Sequence, residues 1–188
     1  ATSVFPTTTG PAYLPILLGC FPGTSEIPGI RWFDKEKYSE NRFGKYAKRN
    51  YCGPEAWYFN SDMEGDQLTL LEHFDRSYNI FNMITRGVPK EHDLAAKGKA
   101  WLYFRAHYFF THQPVDDAAH HHLMRSLDMD PQFVFAVFPC VDWNSHVYHP
   151  EHEETIKSYK FLDYSVGEVV KKLKAQGRWE ETLLMITS

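Results

Sequence analysis

"QFVFAVFPCVDWNSHVYHPEHEETIKSYKFLDYSVGEVVKKLKAQGRWEETLLMITS", residues 132–188, decides the fold class. Its opening run QFVFAVF (132–138) is almost continuously apolar. Such a run suits a strand of a parallel sheet, where both faces are covered and polar alternation is not needed. Residues 154–177 follow, with Ile156, Tyr159, Leu162, Val166, Val169, Val170 and Leu173 at helical spacing and Gly177 at the expected stop. TLLMITS (182–188) then reads as a second buried strand. Strand, helix, strand in this order predicts a βαβ unit and an α/β class.

Upstream, QPVDDAAHHHLMRSLDMDP (113–131) predicts a helix with Pro114 in its first turn and acids near its N-terminus. LAAKGKAWLYFRAHYFF (94–110) predicts another, with a broad apolar face, and NIFNMITRG (79–87) reads as a strand. The aromatic clusters CGPEAWYF (52–59) and WLYFRAHYFF (101–110) are expected in the core rather than as a platform for a ligand ring. At the other end, VFPTTTGPAYLPILLG (4–19) puts Pro11 in a first helical turn, where its missing N–H is not needed. Gly19 closes that short helix, Pro15 shortens or kinks it, and 20–34 reads as a loop with two proline turns.

Composition narrows the function classes. With 188 residues, 43% of them hydrophobic and 16% aromatic, a core forms without disulfide staples. The net charge of −4 offers no global basic footprint, so binding to a nucleic-acid polymer is not expected. The basic-leaning stretch 34–50, with six Lys/Arg against three acids, reads as a solvated surface. Cys20, Cys52 and Cys140 show no metal-type spacing and are expected as free thiols. No apolar run reaches membrane-spanning length. The chain starts without a first structural element and stops in an apolar run, so we expect an internal piece of a longer protein. It would form a single incomplete α/β catalytic domain, with 35–130 as a substrate-side or cap segment.

The residues that carry chemistry follow the 132–138 strand. In PCVDWNSHVYHP (139–150), Asp142 and His146 stand four apart, just past the strand's carboxyl end. Ligands bind there in open α/β sheets. A carboxylate oxygen and an imidazole nitrogen suit zinc or a similar divalent ion. An Asx turn beside a surface histidine is the ordinary alternative for this loop, and His149 and His152 stand close by. The run His120-His121-His122 is a rival metal site, weakened because consecutive helix positions point in different directions.

Three ordered blocks carry a family resemblance. The first runs from Thr9 to Gly19 with Phe21-Pro22 and Gly29-Ile30; the second is VDWNSHVYHP (141–150); the third is FLDYSVGEVVKKL (161–173) leading to LLMITS (183–188). Together they resemble the alkaline phosphatase superfamily, in its type I phosphodiesterase/nucleotide pyrophosphatase branch. The resemblance implies a three-layer αβα sandwich with a mostly parallel central sheet, truncated here at both ends. It implies hydrolysis of small-molecule phosphoric esters, diester or monoester, with Thr9 as nucleophile and two divalent ions, zinc with manganese or iron as alternatives. Asp142 and His146 would be two of three protein ligands to one ion, the third being a histidine downstream of the chain. The other ion would take the Thr9 oxygen and carboxylate and imidazole groups outside the 188 residues.

Physical chemistry is consistent with this assignment. A threonine hydroxyl is a weak nucleophile until a base or a metal activates it. A helix start beside Thr9 would offer N–H groups to a phosphoryl oxygen, and Gly10 would let that backbone come close. Tyr13 is a candidate hydrogen-bond donor to substrate, with a packed helix tyrosine as the alternative. Two departures stand out. Ala12 occupies the place of the branch's asparagine, which helps hold the phosphoryl oxygen, and Ser145 replaces a glycine. A sulfatase or phosphomutase on the same scaffold is a competing reading, although sulfatases use a modifiable Cys or Ser where this chain has Thr9. A further alternative is a non-catalytic fragment that binds one ion weakly. The isolated chain is expected to be inactive.

Overall fold

The computed structural model describes residues 7–21, 23–40, 47–52, 56, 58–63 and 66–187, which form helices of one to six turns and two small sheets. Val4–Pro6 of the opening stretch, Pro22 of the aromatic-proline turn, residues 41–46 of the basic stretch, Trp57 and Ser188 lie outside the described residues. Two compact units are present. The first holds Ala1–Asp75 and Asn82–Val88, the second Arg76–Phe81 and Pro89–Ser188.

In the first unit, a 3-10 turn (Pro11–Tyr13) runs into the single turn of α1 (Leu14–Leu17). The expected helix to Gly19 is therefore shorter, because Pro15 falls in its first turn and Leu18 already caps it. Leu14 and Leu17 are buried, as are Ile27, Phe59, Leu71 and Ile84. β1 (Arg31–Phe33) is followed by α2 (Lys35–Glu40) and by β2 (Lys48–Asn50), which pairs antiparallel with β1 through Trp32 opposite Arg49. Arg49 corrects the expectation of a wholly solvated basic face: it is buried, and its Nε and Nη2 donate to Asp62 at 2.5 and 3.1 Å. Asp62, the last residue of α3 (Phe59–Asp62), also accepts the Tyr51 hydroxyl at 2.8 Å. Burying this charge is tolerable because its partner is bidentate and itself hydrogen-bonded.

The second unit begins with β3 (Ser77–Ile80) and passes through α4 (Lys99–Phe109) and α5 (Gln113–Ser126) to β4 (Phe133–Ala136). β4 lies parallel to β3, with Ser77 opposite Phe133 and Ile80 opposite Ala136. This strand–helices–strand crossover makes the class α/β. α6 (Cys140–Val147) and the long α7 (Glu153–Ala175) complete the unit. Its core gathers Ile80, Phe81, Ala95, Ala106, Val115 and Ala119, with Leu102, Tyr103 and Val134 against them.

Several expectations are corrected here. The parallel partner of the 132–138 run is β3, not 182–188: residues 182–187 form no strand, and Leu183, Met185 and Ile186 are exposed. The strand expected over 79–87 is β3 itself, ending where Phe81 turns to φ 60°. Gly98, at φ 88°, delays the start of α4 to Lys99. The α4 aromatics are mostly outside the core. Trp101, Phe104, Tyr108 and Phe109 are exposed, the first three stacked in sequence and Phe109 edge-on to Tyr108, while the small Ala106 is the residue that buries. On α7, Val169 and Leu173 bury with Leu127 as the periodicity predicts, but Ile156 and Tyr159 are exposed. The hydroxyl residues Thr155, Ser158 and Ser165 are buried instead. Small side chains let helices approach closely, and the hydroxyls find hydrogen-bond partners there, which the apolar stripe could not reveal.

Cys20, Cys52 and Cys140 are free thiols, the first and last buried. Among the described residues no helix is long and apolar enough to cross a membrane.

Candidate functional site

Thr9 is exposed at the head of the Pro11–Tyr13 turn, and the Thr8 carbonyl accepts the Ala12 N–H at 3.0 Å. Gly10 behind it is buried at φ 95° and ψ −78°, a region in which an L side chain is strained. A Cβ there would also come within 3.1 Å of the Met83 sulfur and the Phe59 ring. Glycine at position 10 is thus required both by backbone conformation and by close packing, and it holds Thr9 outward. Tyr13 is half-buried in the same turn. The run of helix here is too short to present the aligned N–H groups of a long helix, unlike the helix start expected beside Thr9.

In the second unit, Asp142 and His146 sit on a helix, not in the expected loop. Pro139 stands at the N-cap of α6, Asp142 in its first turn and His146 in its last, an arrangement that complements the helix dipole at both ends. One turn apart, they share a face: His146 Nε2 lies 3.4 Å from Asp142 Oδ1, with the side chains 78% and 60% exposed. Two donors at about 2.1 Å from one tetrahedral ion sit about 3.4 Å from each other. The pair therefore fits a single divalent ion in both donor chemistry and spacing. Among the described residues no group of three or more His, Cys, Asp or Glu forms a fuller ligand set.

Two of the competing histidines, His120 and His152, have structural partners. His152 Nδ1 caps α7 by accepting the Glu154 N–H at 3.2 Å. His120 Nδ1 lies 2.8 Å from the Ser165 hydroxyl, so His120 packs on α7 rather than joining His121 and His122. A groove of 410 Å³ lies against the Asn144 side of α6, lined in part by Arg105, His112, Asn144, Tyr148, Glu154 and Lys157. Within it Lys157 is already paired to Glu154 at 2.8 Å.

The inner face of α6 holds groups that sequence reasoning missed. Asp116 in the first turn of α5 is fully buried, and its Oδ1 accepts the Cys140 N–H at 3.3 Å. Its Oδ2 has no hydrogen-bond partner among the described residues. Burial pushes the carboxyl from 3.8 up to about 6, only partly offset by the bonds from Cys140. Burial, with Asp116 adding to it, likewise pushes the Cys140 thiol up. An acid whose folded pKa is raised weakens the fold as pH rises. Below about pH 4 both states are protonated, and between 4 and 6 only the unfolded chain ionises. Above 6 the loss is complete at about 3 kcal/mol. Denaturant unfolding from pH 4 to 7.5 is expected to show this decline in the parent relative to Asp116→Asn; parallel curves for the two would refute the burial argument. The sequence signal was the pair Asp116-Asp117, which reads equally well as ordinary helix-start acids.

The family model described as type I phosphodiesterase / nucleotide pyrophosphatase covers residues 1–188. A search of curated proteins finds no match.

Proposed function

The chain belongs to the type I phosphodiesterase / nucleotide pyrophosphatase family, and on that premise we propose a metal-dependent hydrolase of small phosphoric esters with Thr9 as its nucleophile. The observation that carries the metal part is the 3.4 Å spacing of Asp142 and His146 on an exposed helix face just after β4. They would hold one ion of a two-metal site, zinc by preference of an N/O donor set. A divalent ion bound there would supply positive charge against the phosphoryl oxygens and lower the pKa of the Thr9 hydroxyl. The rest of the ligand set would come from outside the 188 residues, as the family resemblance implies. The fold completes to a three-layer αβα sandwich on the same ground.

The Thr9 hydroxyl attacks phosphorus in line. Its oxygen bonds to phosphorus as the bond to the departing alcohol breaks, its proton passes to solvent, and the alcohol oxygen takes one up. Water then cleaves the phosphothreonine and restores the hydroxyl. Gly10 permits the outward setting of Thr9, and Tyr13 offers a donor to the substrate. A net charge of −4 favours a small ester over a polyanionic strand as substrate.

The test is an assay of p-nitrophenyl phosphate and bis-p-nitrophenyl phosphate with added Zn²⁺, using the 188-residue chain and a chain extended at both ends. Turnover is expected only in the longer chain and only with metal. Metal-independent turnover, or none in either chain, would overturn the proposal.

A further inference from the structure

α6 carries two pairs of residues at i and i+4. Asp142 and His146 are exposed, whereas Cys140 and Asn144 are buried. Two positions along a helix is about 200° around it, so the pairs occupy opposite faces. The buried pair is bonded to three other segments. Cys140 N–H is held by Asp116 of α5. Asn144 Oδ1 lies 2.6 Å from Nδ1 of His112, which precedes α5 and is only 4% exposed. Asn144 Nδ2 donates to the Ser158 hydroxyl at 2.9 Å and to the Glu154 carbonyl at 3.4 Å, both on α7. Those donations fix the amide's orientation, so its oxygen faces His112 and His112 Nδ1 carries the proton. Trp143 adds packing, edge-on to Tyr103 at 5.1 Å and against His107 at 4.6 Å.

We propose that Asn144 is a positioning residue for the metal pair: its bonds to His112, Ser158 and Glu154 keep α6 helical, and only the helical form sets Asp142 and His146 at one ion's spacing. The reason is length. α6 has eight residues, and isolated helices shorter than about 12–15 residues are marginal in water. Without the clamp the helical fraction falls, and apparent affinity falls with it, because binding is scaled by the competent fraction. The inference rests on reading Asp142 and His146 as ligands.

Co²⁺ titration of the 188-residue chain, followed by its d–d absorption, tests this without any turnover. Asn144→Ala is expected to raise the Co²⁺ dissociation constant about tenfold, the scale of an outer-shell support. Val169→Ala, in the separate cluster with Leu127 and Leu173, is expected to lose stability while shifting it less than twofold. Ser158→Ala removes one bond of the clamp and is expected to give about a threefold rise even if Asn144→Ala fails to fold. An unchanged constant in the Asn144 and Ser158 variants, or an equal shift in Val169→Ala, overturns the clamp. If Asp142→Ala and His146→Ala also leave Co²⁺ binding untouched, the ligand reading itself fails and takes the clamp with it.

Discussion

Replacing Thr9 by alanine is expected to slow turnover of bis-p-nitrophenyl phosphate at least about a thousandfold in the extended chain, the order of loss seen when a nucleophile is removed. Without the Oγ no phosphothreonine forms, and water must attack the ester directly. The loss should fall on kcat, because the hydroxyl's contribution lies in the bond it makes in the transition state. Thr9→Ser, which keeps the hydroxyl, should retain much of the rate. Since Thr9 is exposed, neither variant should move the thermal midpoint. Gly10 behaves differently: its left-handed backbone and its contacts with Met83 and Phe59 mean that a substitution there damages the fold before the chemistry. A Thr9→Ala rate within tenfold of the parent would remove threonine from the mechanism.

Asp142→Ala and His146→Ala carry the second large effect. Each is expected to raise the Zn²⁺ concentration for half-maximal rate by about a hundredfold or more, since even an outer-shell change costs ten- to a hundredfold. Both side chains are mostly exposed, and their mutual contact is a one-turn surface pair worth only a few tenths of a kcal/mol. Stability and metal demand should therefore separate cleanly. His120→Ala serves as the contrast, because His120 contacts Ser165 and should leave Zn²⁺ dependence unchanged. If His120→Ala shifts the metal demand as far as His146→Ala does, the ligand pair has been misassigned.

What the sequence made legible was local. The period of α7, the Pro-led start of α5 and the Asp142-x-x-x-His146 spacing are written in neighbouring residues, and each appears in the structure. Long-range choices were not written there. The apolar run 132–138 announces a strand but not its partner, and the partner is β3, more than fifty residues upstream. TLLMITS has strand composition, but a strand needs a neighbour, and residues 182–187 have none among the described residues. Asp116 looks like a helix-start acid because its burial depends on where α6 lands. Asn144 and Ser158 passed unnoticed for the same reason: a polar residue gives no hint of burial until its partners are known. For the candidate site, spacing only singled out Asp142 and His146, and the roles proposed for that pair and for Thr9 both come from resemblance to family motifs.

Acid-quenched reaction mixtures of the extended chain, digested and weighed by mass spectrometry, offer the sharpest check. A phosphoryl adduct should appear on the peptide containing Thr9 in the parent and vanish in both Thr9→Ala and Asp142→Ala, as expected of the proposed nucleophile and the proposed metal ligand. Steady turnover with the adduct on another residue, or an undiminished Thr9 adduct in Asp142→Ala, would show that the two ends of this chain do not share a reaction.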